Sequence, residues 1–191
     1  MSVQIIFLDT NVILDYLENR NQEVRDIIAQ LLLLHKKGKI ILATSVFNIA
    51  ELIDKEFQIA FIGECINERM SYDEIIGKLR RDRKLYREIA EKNRKRIEKK
   101  IRDFIFKNEI LVLTISFNDP NQYQEIYNLI YNHQLQSQDA LIVATALLNN
   151  ATYFLSNDSE LVNTISDLIN SYNLRDEKQR EIFRNNVLEA I

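Results

Sequence analysis

Two hydrophobic patterns alternate along the chain. Short, unbroken apolar runs give way to longer stretches in which apolar residues recur every three or four positions. Gln4-Ile5-Ile6-Phe7-Leu8 lacks polar alternation, the pattern of a strand buried on both faces. Lys39 to Ala43, Glu109 to Ile115 and Thr152 to Leu155 predict three more strands. Between them, Asn21 to Lys37 predicts a helix with Val24, Ile27, Ile28, Leu31, Leu32 and Leu34 largely on one side, closed by Lys36, Lys37 and Gly38. Further helices are expected after Thr44-Ser45 through Asn48 and Glu51, after Asp119-Pro120, and from Gln138 to about Leu148 behind Ser137. The last two are expected over Ser159 to Ile169 and Arg175 to Ile191. This alternation predicts an α/β fold: a parallel sheet of four or five strands flanked by helices on both faces.

The middle of the chain departs from that rhythm. Ser71-Tyr72-Asp73-Glu74 has the form of a capping box. Apolar residues then recur at Ile75, Ile76, Leu79, Tyr86, Ile89, Ile97, Ile101, Phe104 and Ile105 with no proline between them. One long helix or a helical hairpin is expected, packed on the domain or on a second subunit. We therefore divide the chain into a domain over 1–170, which includes a helical arm over 65–107, and a C-terminal helix over 171–191 that packs on the domain or on a partner.

Charge singles out the same arm. Over Lys78 to Lys107 the net charge is +9, whereas the whole chain carries −3, so the remainder is strongly acidic. Glu88, Glu91 and Glu98 lie three or four residues from Lys or Arg, as on a solvated helix face. The surplus of positive charge reads equally well as phosphate-backbone binding, with Arg80, Arg81, Arg83, Lys84, Arg94, Lys95 and Arg96 as the candidate contacts.

Composition narrows the chemistry. Three glycines and one proline disfavour many-stranded β architectures. The single cysteine, Cys65, excludes an intramolecular disulfide and thiolate clusters, and it is read as a small buried residue. No apolar stretch approaches the roughly 20 residues of a membrane helix, and the N-terminus lacks the basic region of a signal peptide. A cytoplasmic protein without membrane contact is expected. No P-loop, GxGxxG or Ser-His-Asp arrangement is present.

Four acids occupy the positions where parallel α/β sheets place their chemistry, beyond the C-terminal ends of strands. Asp9 ends the first strand, and Asp158 follows the last one after Ser156 and Asn157. Glu51 lies about two turns into the helix after the second strand, and Asp139 opens a helix. Converging carboxylates repel one another, and a hard divalent cation relieves that repulsion. An all-oxygen ligand set selects Mg²⁺ or Mn²⁺. Such ions activate water and stabilise a leaving oxygen in an in-line attack on phosphorus. Thr10, Asn11 and Ser156 are candidates for orienting the acids. His35 and His133 stand in no metal-ligand spacing.

These residues carry a family resemblance. Phe7-Leu8-Asp9-Thr10-Asn11-Val12-Ile13-Leu14 resembles the opening motif of PIN-domain ribonucleases, and Asn48-Ile49-Ala50-Glu51-Leu52 resembles their second. Ser137-Gln138-Asp139-Ala140-Leu141-Ile142-Val143-Ala144-Thr145-Ala146 is similar to the third, and Leu155-Ser156-Asn157-Asp158 to the fourth. The resemblance implies a Mg²⁺- or Mn²⁺-dependent endoribonuclease with Asp9, Glu51, Asp139 and Asp158 as catalytic and metal-binding residues. It further implies RNA as substrate, often a VapC-like toxin role with a protein antitoxin as partner, and often a homodimer. The segment from Cys65 to Lys107 is longer than the helical pair of compact toxins in this family. Two competitors stand beside this reading. A non-catalytic RNA-binding or scaffold protein would keep the fold without needing the acids. A phosphatase of the haloacid dehalogenase type needs a second Asp two residues after the first, where this chain has Asn11.

Overall fold

The computed structural model describes residues 3–116 and 118–189. The chain separates into two compact units, one formed by the residues up to Ile49 and from Asn108 onward, the other by Ala50–Lys107.

The first unit is built on a five-stranded sheet of order β3-β2-β1-β4-β5, formed by β1 (Gln4–Leu8), β2 (Ile40–Ser45), β3 (Leu111–Leu113), β4 (Tyr153–Ser156) and β5 (Asn170–Asn173). Every pairing is parallel. The chain leaves β1 toward β2 and β3 on one side and later returns to place β4 and β5 on the other. The order therefore reverses at β1, so the crevice between β1 and β4 is the topological switch point. Leu8 pairs with Leu155, which sets Asp9 and Ser156 side by side at the strand ends. The Asp9 amide fixes that register by donating to the Leu155 carbonyl at 2.9 Å.

Helices supply the apolar cover. In α1 (Thr10–Glu18), Val12, Ile13 and Leu14 are buried. In α2 (Gln22–Lys36) the buried residues are Val24, Ile27, Ile28, Leu31 and Leu32, and Asn21 caps the helix by accepting from the Val24 amide at 3.1 Å. Gly38 follows with φ of 68°, the left-handed conformation that the expected glycine stop supplies. Helix α3 (Val46–Asn67) begins in this unit and continues into the other. Asp119 caps α6 (Pro120–Tyr131) with proline in the first turn. Helix α7 (Ser137–Leu148) contributes Ala140, Ile142, Val143, Ala144 and Ala146 to a core that also holds Phe7 and Phe154, whose rings stack at 5.3 Å.

Three helix boundaries differ from the sequence reading. Ser137 lies inside α7, and the cap position falls to Gln136, which makes no side-chain cap bond. Helix α8 (Ser159–Thr164) stops well short of Ile169, because the chain must turn to enter β5. The expected C-terminal helix occupies α9 (Glu177–Phe183) and continues as a π-helical turn over Arg184–Leu188. Its last two expected positions, 190 and 191, lie outside the described residues.

The second unit contains the remainder of α3 with α4 (Tyr72–Arg81) and α5 (Arg83–Lys107), so the middle of the chain is a helical hairpin after a long helix. The capping box at α4 is formed reciprocally by Ser71 and Glu74. Asp82 breaks the hairpin and accepts from the Leu85 amide at 3.0 Å. Phe61, Cys65 and Ile75 form its buried cluster, with Leu79, Leu85, Tyr86 and Ile89 against it. Lys100 reaches the almost fully buried Glu56, with contacts of 2.8 and 3.0 Å to its two oxygens.

Candidate functional site

The site is centred on Asp9, which ends β1 and is 5% exposed. Its Oδ1 accepts from the Thr10 amide at 2.7 Å and from Asn48 Nδ2 at 3.0 Å. Its Oδ2 accepts from Ser156 Oγ at 2.7 Å. Asp9 is also the residue that caps α1.

Ser156, fully buried at the end of β4, is the hub of the arrangement. Its single proton goes to Asp9, and its oxygen accepts from Asn11 Nδ2 at 3.1 Å and the Asp158 amide at 3.1 Å. One donated and two accepted bonds use the full capacity of a hydroxyl. Asn11 is oriented from both ends, since its Oδ1 accepts the Asn157 amide at 2.7 Å. Thr10 is buried and accepts from Asn48 Nδ2 at 3.1 Å. Thr10, Asn11 and Ser156, expected as orienting groups, thus touch the acids or each other in the structure.

Asp158 is exposed at the start of α8, and its Oδ1 accepts from the Glu160 amide at 2.9 Å and the Leu161 amide at 3.1 Å. Asp139 is half-buried in the first turn of α7. The two line one pocket of about 490 Å³ together with His133, Gln136, Glu160 and Thr164. Glu51 is half-buried, three residues beyond Asn48 along α3, and belongs to the second unit. His35 is structural, with each ring nitrogen 3.1 Å from a backbone carbonyl, those of Ile40 and Glu109.

Asn48 is a residue that sequence reasoning missed. Its place in Asn48-Ile49-Ala50-Glu51-Leu52 implied no role of its own. It is fully buried and joins Asp9, Thr10 and Ser45, accepting from the Ser45 amide at 3.2 Å and from its hydroxyl. A polar residue held inside an otherwise apolar helix stretch, Phe47-Asn48-Ile49-Ala50, was the available signal.

Residues 6–166 match the family model described as the PIN domain. The chain belongs to the PIN domain family. Two solved structures share the fold. VapBC2 from Rickettsia felis, bound to a DNA fragment from their promoter, aligns at 15% identity with a TM-score of 0.50, over 88% of this chain and 97% of that one. VapBC-1 from nontypeable Haemophilus influenzae aligns at 19% identity with a TM-score of 0.51, over 91% of this chain and 100% of that one. No curated protein matches. Among the described residues, no helix of this PIN-family chain is long and apolar enough to cross a membrane.

The donor chemistry of the pocket fits a hard cation, since Asp139, Asp158 and Glu160 line it with carboxylate oxygens. Among the described residues, no group of three or more His, Cys, Asp or Glu side chains is gathered closely enough to hold a metal ion. In the second unit, Arg80, Arg81, Arg83, Lys84, Arg94, Lys95 and Arg96 are all exposed. Two of them make loose ion pairs within α5, Lys84 with Glu88 at 4.0 Å and Arg94 with Glu91 at 3.7 Å.

Proposed function

We propose that this PIN-family chain is a divalent-metal-dependent endoribonuclease, the toxin of a toxin–antitoxin pair with a protein antitoxin as its partner. The observation that carries the nuclease reading is the buried Asp9 carboxylate at the switch point of the sheet, tied through Ser156 to Asp158. Family membership supports it, and the VapBC identity of both solved neighbours supports the pairing with an antitoxin.

Asp9, Glu51, Asp139 and Asp158 are the residues that would hold Mg²⁺ or Mn²⁺. When bound, the cation supplies Lewis-acid polarisation of the phosphoryl group and a water nucleophile at neutral pH. The chain's own contribution is position. Asn48 and Ser156 hold the two oxygens of Asp9 in fixed directions, so the carboxylate is oriented before a cation would bind. The exposed cations of α4 and α5 bind the phosphate backbone. Two copies of the chain associate as a homodimer, and the protein acts in the cytoplasm.

The test is incubation of a mixed RNA pool with the protein, with and without Mn²⁺, beside Asp139→Asn. Mn²⁺-dependent cleavage by the parent and none by the folded variant is expected. Full activity in a folded Asp139→Asn or Asp9→Asn protein removes the assignment. A second reading, RNA binding without cleavage, is favoured by one observation: no three acidic ligands stand assembled among the described residues. Salt-sensitive RNA binding with no cleavage in Mn²⁺ decides for it.

A further inference from the structure

The turn after β5 holds the segment around Asp158 at three points, all within the first unit. The Leu174 amide donates to the Ser156 carbonyl at 3.2 Å. Asn173 Nδ2 donates to Ser159 Oγ at 2.7 Å. Arg175 grips Asp15 with two bonds, Nε to Oδ2 at 2.8 Å and Nη2 to Oδ1 at 2.6 Å, and the same Oδ2 accepts from Asn157 Nδ2 at 2.9 Å. Residues 156, 157 and 159 are thus each held from 173–175, either directly or through Asp15.

The Asn157 link is directional. Its Nδ2 faces two acceptors, the Asp15 carboxylate and the Asn11 carbonyl at 3.3 Å, while its Oδ1 is buried with no partner. Reversing the amide would set its carbonyl against both acceptors. The Asp15 carboxylate, 1% exposed and ion-paired to Arg175, is an acceptor only and therefore fixes the orientation. The turn is itself tied by hydrogen bonds. Asn173 Oδ1 accepts the amides of Arg175 at 2.8 Å and Asp176 at 3.3 Å, and Arg180 Nη1 donates to the Leu174 carbonyl at 3.1 Å. The match to the family model ends at residue 166, so this turn lies outside it.

We propose that Asn173-Leu174-Arg175 is a positioning clamp that sets the Asp158 carboxylate relative to Asp9. The inference rests on the cation-binding reading given above. Asn173 and Arg175 act through Ser159, Asp15 and Asn157 and are positioning residues.

The test uses the full chain as Arg175→Ala, Arg175→Lys, Asn173→Ala and the double variant Asp15→Asn/Arg175→Ala, which removes the orphaned buried charge and so protects the fold. Three quantities are read: Mn²⁺ affinity by electron paramagnetic resonance of the free ion, amide hydrogen exchange at Asp158, Glu160 and Leu161, and RNA cleavage against Mn²⁺ concentration. Loss of an orienting partner typically weakens a metal site about tenfold or more. The expected result is a loss of about tenfold in Mn²⁺ affinity in the Arg175→Ala and double variants. Exchange should accelerate at the three amides but not in β1, and added Mn²⁺ should restore much of the cleavage rate. Arg175→Lys should recover part of the affinity. Wild-type affinity and exchange in the folded double variant overturn the clamp. A parent protein that neither binds Mn²⁺ nor cleaves RNA overturns the nuclease reading instead. Exchange at the three amides then decides the clamp alone, faster exchange in the variants supporting it and unchanged exchange overturning it.

Discussion

At the scale of single residues, the site depends on buried hydrogen bonds whose partners come from distant parts of the chain. Asn48 illustrates the consequence. Its amide nitrogen serves Asp9 and Thr10, and its carbonyl oxygen serves Ser45, all inside the protein. Asn48→Ala therefore leaves several polar groups without partners, and each unsatisfied buried group costs about 1–3 kcal/mol. Urea unfolding should show a stability loss of about 2 kcal/mol with an unchanged slope. A loss below about 0.5 kcal/mol, within the range of an inconsequential surface change, would mean that water replaces the amide. The positions of the four acids, as distinct from their roles, were legible because each lies just past a strand or within the first two turns of a helix. Asn48 and Arg175 were not, because their roles depend on register. Asn48 meets Asp9 only once β1 and β2 are aligned, and Arg175 meets Asp15 across 160 positions of sequence. The Asp15 carboxylate that Arg175 meets is buried.

Elements with a strong local signal were read correctly, and those defined by tertiary pairing were not. β1 coincides with the expected run, and α4 and α6 start at the caps expected of them. β5 was missed because Asn170-Ser171-Tyr172-Asn173 has no apolar run. It is an edge strand, paired on one side only to β4, and polar residues suit that position. The start of α4 carries its own prediction. Glu74 accepts from the Ser71 amide and hydroxyl, both at 2.8 Å, and these bonds hold its carboxyl below the usual glutamate range. A group whose pKa is depressed by folding stabilises fully above its unfolded pKa, and the contribution is lost as pH falls through the folded value. The helical signal of α4 should weaken on acidification through that window, and Glu74→Gln should flatten the dependence. Equal pH profiles for the parent and Glu74→Gln, followed by amide exchange at Ile75, would show that the box has no electrostatic part.

The whole molecule divides by charge as well as by contacts. The stretch Lys78 to Lys107 carries +9 in a chain of net −3, and it lies entirely within the unit Ala50–Lys107. Had the positive residues been neutralised internally, the arm would be a solvated face. Lys92, Lys100 and Lys107 are paired with Glu64, Glu56 and Asp103 at 3.0, 2.8 and 2.9 Å, whereas the ion pairs of Lys84 and Arg94 are long and exposed, and pairs of that kind contribute little. Positive charge that is not consumed within the protein is available to a polyanion, and binding of that kind has a thermodynamic signature. Each phosphate contact to a single strand releases counterions and adds about 0.7 to the slope of log affinity against log salt. Replacing Arg80, Arg81, Arg83 and Lys84 with alanine should therefore weaken RNA binding most at low salt and flatten the slope by up to about 3, if all four touch phosphate. The measurement is fluorescence anisotropy of a labelled single-stranded RNA across a KCl series, in an Asp139→Asn background so that the ligand survives. Leaving the slope unchanged while binding persists would place the RNA elsewhere on the molecule and return the arm to a solvated or partner-facing role. A reduced slope there, with the Mn²⁺ affinity unaltered when the same four substitutions are made in the parent chain, would separate the two contributions, with the helical unit supplying phosphate affinity and the sheet unit supplying the chemistry.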